Sequence, residues 1–270
     1  MASKKLIFGS GASACKDFNG LQDVCRAALS QEIYRFDTAP SYRTEAILSK
    51  AVSMSAKDLG LHREDYQIQT KIDPIQMYNG HLEEYFKQKL SEMKLEYVDS
   101  LLIHWPVFNY LANTWESLLL LKEKGYTKNI GICNLRIDHL KDLKSKEIVP
   151  EILQIERHPL NTFREELLFC KENDIQLQDY SPLCKMHPRI RNNEFIQKIA
   201  EKYNCNIGQI VLKWHIDTGA IPVFTSTKPN RVIEYSKLDD FSLTNEEIQT
   251  ISSLNCNHKL YLESLLCPGF

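Results

Sequence analysis

The chain has 270 residues, 33 basic against 35 acidic side chains, a formal net charge of −2 and 43% hydrophobic content. That length suits one barrel-sized α/β domain, and the balanced charge excludes the basic field of a general nucleic-acid binder. No apolar run approaches the roughly 20 residues that span a bilayer. The apolar run behind Met1-Ala2-Ser3-Lys4-Lys5 is too short for a signal peptide. Eight cysteines without a C-x-x-C pair or zinc-ligand spacing point to free thiols in a reducing cytoplasm.

Eight β-prone runs follow in chain order: Leu6–Phe8, Ile33–Phe36, Tyr66–Thr70, Val98–Ile103, Asn129–Ile132, Ile152–Ile155, Ile175–Gln178 and Ala220–Phe224. Helix-period segments lie between them. Leu82, Tyr85, Phe86, Leu90 and Met93 predict a helix over Leu82–Met93. Asp138–Leu143 continues a helix face, and Thr162-Phe163-Arg164-Glu165 ahead of Leu167 opens another helix. Thr244 with Glu247 three residues on has the capping-box spacing. Glycines are few and scattered, and no Pro/Gly/Ser-rich linker divides the chain. Strands alternating with helices imply a parallel sheet, and eight repeats predict a closed (β/α)8 TIM barrel forming one domain over residues 1–270.

Gly9-Ser10-Gly11-Ala12-Ser13-Ala14, directly after the first run, matches G-x-G-x-x-A, with Glu32 or Asp37 about 20 residues on. A Rossmann fingerprint needs a helix opening inside the motif. Here Lys16-Asp17-Phe18-Asn19-Gly20 reads as a loop, and helical patterning resumes near Leu21. The segment is therefore read as a barrel loop in which Gly11 and Ala12 let a ligand approach the backbone.

Function on a barrel sits at the C-terminal strand ends, which here carry Asp37, Lys71, His104, Asn134, Glu156 and Tyr180. Asp37 closes the second run, Tyr42 follows five residues later, Lys71 closes the third run and His104 the fourth. Taken singly, each is ordinarily a structural residue. Placed on neighbouring strand ends, they converge. A buried ammonium beside a phenol favours phenolate and draws its pKa from about 10 toward neutrality. Asp37 would compensate the buried Lys71 charge, and His104 would donate to a carbonyl oxygen. The set polarises a carbonyl and exchanges a proton.

Six motifs occur in order: Asp37-Thr38-Ala39-x-x-Tyr42-x-x-Glu45, Thr70-Lys71, Leu102-Ile103-His104-Trp105-Pro106, Ile130-Gly131-Ile132-Cys133-Asn134, Gln154-Ile155-Glu156-x-His158-Pro159 and Tyr180-Ser181-Pro182-Leu183. With these, the chain from about Phe8 to Leu254 resembles the aldo-keto reductase family. The resemblance implies NAD(P)H-dependent reduction of a small-molecule carbonyl, with Tyr42 as general acid, Lys71 lowering its pKa, Asp37 paired to Lys71 and His104 orienting the carbonyl. It implies that Asn134 and Gln154 hold the nicotinamide carboxamide, beside Cys133 where the family usually has Ser, that Tyr180 stacks on the ring, and that Ser181 and Leu183 after it contact the cofactor.

Phe224 is expected to contact the cofactor, and beyond it Thr225, Ser226 and Thr227 are expected to bind phosphate oxygens. Lys228 would supply a charge the family usually places earlier, and Arg231 matches the Arg that reads a 2′-phosphate, so NADPH is expected rather than NADH. Trp105 and Phe108 are expected to wall the substrate. Arg43-Thr44 replaces the usual Gly-Asn beside Tyr42, the N-terminal hairpin of the family is not expected, and the tail from Tyr261 to Phe270 would either cover the site or pack on the barrel. The rival reading is a cofactor-binding regulatory or assembly subunit with little turnover. A metal-dependent barrel hydrolase is disfavoured because no His-x-His pair or clustered carboxylate set is present.

Overall fold

A computed structural model describes residues 5–11 and 13–261. Ala12 and the tail from Leu262 to Phe270 lie outside the described residues. Eight strands, β1 (Ile7–Gly9), β2 (Arg35–Asp37), β3 (Gln67–Ile72), β4 (Val98–Ile103), β5 (Thr127–Cys133), β6 (Ile152–Glu156), β7 (Gln176–Tyr180) and β8 (Ile221–Phe224), pair in parallel in sequence order and close into a barrel. Every expected run falls on a strand. Several strands reach one or two residues further toward their C-terminal ends, because the ladder continues through polar residues that β propensity does not mark. Lys71, expected to close the third strand, lies within β3, one residue before its end.

The helix Leu82–Met93 has the bounds its periodicity predicts, burying Leu82, Phe86, Leu90 and Met93. Helices Ile137–Ser145 and Arg164–Glu172 form where expected. The Thr244 box is made: its hydroxyl accepts from Glu247 N at 3.2 Å, and Thr244 N donates to Glu247 Oε2 at 2.8 Å. The first helix differs from expectation. It begins at Phe18, three residues before Leu21, because the Asp17 carboxylate accepts Gly20 N at 2.8 Å and caps it. Ser13–Lys16 is a 3₁₀ turn, so no α-helix opens inside the glycine motif.

Alternate side chains of a strand face opposite sides. Outward residues such as Phe8, Phe36, Ile68, Leu101, Ile103, Ile132 and Leu153 form the core between sheet and helices. The inward set is unusually polar. Barrel interiors are ordinarily filled by branched aliphatics, but Asp37, Gln69, Lys71, Gln154 and Gln178 meet inside this one. Gln69 Nε2 donates to Asp37 Oδ2 (2.7 Å) and Gln178 Oε1 (2.9 Å). Gln154 Nε2 donates to the same two oxygens at 3.1 and 2.9 Å. The register that pairs Asp37 with Gln69 and Gln154 with Gln178 sets this layer. Gly131 on β5 makes the close approach possible, since a Cβ there would sit 2.3 Å from the Ile152 carbonyl oxygen. Among the described residues, no helix is long and apolar enough to cross a membrane.

Candidate active site

Four segments meet at the C-terminal mouth. Lys71 Nζ donates to both Asp37 carboxylate oxygens at 2.8 Å and to the Thr38 carbonyl at 3.0 Å. The pair is fully enclosed, with side-chain exposures of 0% for Lys71 and 3% for Asp37. Burial alone pulls the ammonium below its ordinary range. Asp37 and Tyr42 oppose burial and hold Lys71 above its ordinary range.

Tyr42 ends the 3₁₀ turn Pro40–Tyr42. That turn is fixed by buried hydroxyls: Ser10 and Thr44 are 2.8 Å apart, Thr38 and Thr44 3.1 Å, and Ser10 Oγ donates to Asp37 O at 3.1 Å. The Arg43-Thr44 departure therefore has a structural consequence. Thr44 ties the Tyr42 turn to the β1 and β2 ends, while Arg43 takes the left-handed backbone that reverses the chain (φ 58°). Gly11 leaves room for the Tyr42 ring, whose Cε2 would lie 3.3 Å from a Cβ at that position.

Lys71 Nζ lies 5.0 Å from the Tyr42 ring centroid. Its charge pulls the phenol pKa down, but burial outweighs it and the phenol is pushed up to about 12. The expected drift toward neutrality is thus corrected. A phenol enclosed by protein keeps its proton, and Lys71 limits the rise without reversing it.

His104 follows β4, its N–H continuing the ladder to Ile72 O at 2.9 Å. Its Nε2 lies 3.4 Å from the Tyr42 hydroxyl, and the two rings meet edge to face at 5.5 Å. Its Nδ1 lies 2.5 Å from Asp73 Oδ1. The other Asp73 oxygen accepts Ser41 N at 2.8 Å. Asp73 was missed in the sequence because Asp73-Pro74 reads as a helix start, and it does precede the helix Pro74–Asn79. Its position two residues after the strand-end lysine was the available signal. Burial raises this carboxyl, yet the bonds from His104 and Ser41 hold it below its usual range. Burial also leads the shift on His104, keeping the imidazole below its ordinary value against the pull of Asp73.

The expected cofactor residues divide. Asn134 lies at the mouth in left-handed backbone (φ 60°), donating to His104 O and accepting from the Tyr180 hydroxyl, both at 2.9 Å. Cys133 is buried on β5, and burial pushes its thiol well above the usual range. Gln154 faces the barrel interior, where its Nε2 donates to Asp37 and Gln178; those bonds use the amide nitrogen and not Oε1. Ser181 and Leu183 are part-exposed in the turn after β7. That turn is anchored from below: Arg157 Nη1 reaches Asp179 Oδ2 at 2.7 Å, His215 Nδ1 lies 2.5 Å from the same oxygen, and His215 Nε2 lies 3.1 Å from Pro182 O. Sequence reading did not mark this buried trio.

The Phe224 side chain is committed to the core against Phe8 and Tyr235. Thr225, Thr227, Lys228 and Arg231 are exposed on the segment beyond it, with Ser226 buried between them and bonded to Lys228. Hydroxyls and open cations after β8, with Asn134 and Tyr180 at the mouth, are a donor set that fits a phosphorylated dinucleotide. Trp105 stands 6.1 Å from the His104 ring, whereas Phe108 packs on His139 at 4.5 Å, between two helix starts. The tail crosses the rim as far as it is described. Leu260 N and Tyr261 N donate to the two Glu156 oxygens at 2.6 and 3.0 Å, and the Tyr261 ring lies 5.9 Å from that of Tyr180.

A closed parallel barrel with these groups at its C-terminal mouth belongs to the class of (β/α)8 enzymes. The sequence profile of the Aldo/keto reductase family matches residues 5–256. Glyoxal reductase of Bacillus subtilis (strain 168) is 33% identical over 255 residues, covering 94% of this chain and 90% of that protein. Methylglyoxal reductase DkgA of Yersinia pestis is 34% identical over 227 residues, covering 83% and 80%. The crystal structure of a Bombyx mori aldo-keto reductase in complex with NADP superposes with a TM-score of 0.84 at 25% identity, over 96% of this chain and 91% of that one. The chain belongs to the aldo/keto reductase family. Its reaction is the nicotinamide-dependent reduction of an aldehyde or ketone to an alcohol.

Proposed function

We propose that this protein is an NADPH-dependent reductase of small aldehydes and dicarbonyls in which Tyr42 is the proton donor. The observation that carries the reading is the enclosed Asp37–Lys71 pair beneath a phenol whose hydroxyl lies 3.4 Å from His104 Nε2. When bound, the reduced nicotinamide supplies hydride to the carbonyl carbon. Tyr42 holds its proton in the resting site and releases it only as negative charge grows on the carbonyl oxygen. Lys71 stabilises the phenolate that remains, and Asp37 keeps Lys71 charged. Asn134 and Tyr180 are the side chains best placed at the mouth to orient the nicotinamide, and Lys228 and Arg231 to meet a 2′-phosphate. The glyoxal and methylglyoxal activities named for relatives support small dicarbonyls as the first substrates to test.

The test is Tyr42→Phe with NADPH and methylglyoxal. Turnover should fall by about 10²–10⁴-fold, while NADPH still quenches tryptophan fluorescence with unchanged affinity. Turnover retained in the variant would remove Tyr42 from the reading. NADPH binding without turnover in the wild type, across a panel of carbonyls, would favour the regulatory-subunit reading.

A further inference from the structure

A carboxylate on the far side of the imidazole changes what that imidazole can do. Ionised carboxylates only accept hydrogen bonds. Asp73 Oδ1, 2.5 Å from His104 Nδ1, therefore requires a proton on Nδ1. A neutral imidazole then has a lone pair on Nε2, the nitrogen that faces Tyr42 at 3.4 Å. In that form His104 accepts a hydrogen bond at Nε2 and cannot donate one to a carbonyl. It becomes a donor there only as the imidazolium.

We propose that Asp73 is a positioning residue that commits His104 Nδ1 to a proton and makes Nε2 a proton-exchanging nitrogen, so that the His104 imidazolium recharges Tyr42 during carbonyl reduction. The inference rests on the reductase reading above.

The step balances. As hydride arrives at carbon, the Tyr42 O–H bond breaks and the alcohol O–H bond forms. The phenolate takes the Nε2 proton of the imidazolium, leaving neutral His104 with its Nδ1–H still on Asp73, and a solvent proton restores the imidazolium. The charges facing the ring are Asp73 after β3, Lys71 on β3 and Asp37 on β2, with the phenol of Tyr42 on the turn after β2. Two carboxylates face one ammonium, so an imidazolium neutralises the group. Burial and Lys71 oppose it, and the two carboxylates favour it.

Asp73 also holds the Tyr42 turn through Ser41 N, so the test must separate positioning from packing. The full-length protein is labelled with ¹⁵N-histidine, and the His104 signals are assigned by their loss in His104→Gln. In the neutral form, wild type should show Nδ1 protonated and Nε2 unprotonated. In Asp73→Asn the His104 ionisation should move down by about one pH unit or more, since an opposite charge in contact is lost. With methylglyoxal and NADPH, the wild-type reduction rate should fall as pH rises through the His104 ionisation. That limb should move down with the NMR titration in Asp73→Asn, return in Asp73→Glu and vanish in His104→Gln. If Asp73→Asn is poorly folded, wild type and His104→Gln decide the matter alone. A wild-type proton on Nε2 in the neutral form, or a pH limb untouched by Asp73→Asn and His104→Gln, would overturn the proposal while leaving the reductase reading intact. Absence of any turnover would refute the reductase reading, and the NMR tautomer would still judge the role of Asp73.

Discussion

Replacing Asp37 by Asn preserves shape and removes the charge that faces Lys71. The ammonium would be left with no exposure and without its counter-ion, a change that costs about 3–5 kcal/mol when a buried pair loses one partner. In a chain of this size that is a fall in thermal midpoint on the order of 6–20 °C. Lys71 can escape part of this cost by losing its proton, and then its support for the Tyr42 phenolate disappears. At 5.0 Å from the ring centroid and an effective dielectric of about 20, that support is about 3.3 kcal/mol. Fully expressed in the transition state it is worth about 250-fold in kcat.

Lys71→Met is the mirror perturbation, leaving Asp37 only the amides of Gln69 and Gln154. Asp37→Asn/Lys71→Met joins two neutral groups, so most of the lost stability should return while kcat stays down by about 250-fold or more. Thermal unfolding by circular dichroism and steady-state reduction of methylglyoxal with NADPH measure the two quantities. A double variant no more stable than the single variants would refute the reasoning about the pair. A single variant with kcat within about threefold of wild type would refute the reasoning about charge.

Two further outcomes are expected. Arg231→Ala should weaken NADPH binding by about 10–100-fold, the worth of one hydrogen bond to a charged group, and leave NADH binding nearly unchanged; equal losses for both cofactors in fluorescence titrations would remove Arg231 from the 2′-phosphate. His104 and His215 are both held below the ordinary histidine value, with burial as the largest cause. The unfolded chain therefore binds more protons than the folded one. Their contribution to stability is present above about pH 6.5 and lost as pH falls through the folded values, so thermal midpoints should fall steadily between about pH 7 and pH 5. A flat profile would contradict the burial of these neutral rings.

Strand number, strand order and the meeting of Asp37, Tyr42, Lys71 and His104 at one mouth were legible because a parallel barrel converts sequence position into spatial position. A polar residue at the end of each β-prone run must face the same mouth. Contacts that depend on register were not legible. The amides of Gln69, Gln154 and Gln178 become partners only once β2, β3, β6 and β7 are aligned, and Gln154 is drawn inward by them. Asp73 lies 31 residues from His104, and its local sequence suits a helix start equally well. The direction of the Tyr42 shift was illegible for another reason. A sequence shows the Lys71 charge that lowers the phenol but not the enclosure that raises it, and enclosure is the larger cause.

These two carboxylates divide the electrostatic work. Asp37 is saturated, receiving Lys71 on both oxygens and two glutamine amides on one of them. A group so fully bonded has nothing to exchange during turnover, and its effect on Tyr42 is a fixed field through Lys71. Asp73 touches an imidazole that burial holds below its ordinary value, so its effect depends on pH. Carbonyl reduction consumes one proton with each hydride. A site with a fixed field alone would draw that proton from solvent each cycle through the phenol. A site with a second, titratable donor 3.4 Å from the phenol can replace it locally, and the same donor, once neutral, can accept a proton when an alcohol is oxidised. The direction of the reaction and the charge on His104 are therefore linked through one short contact to Asp73.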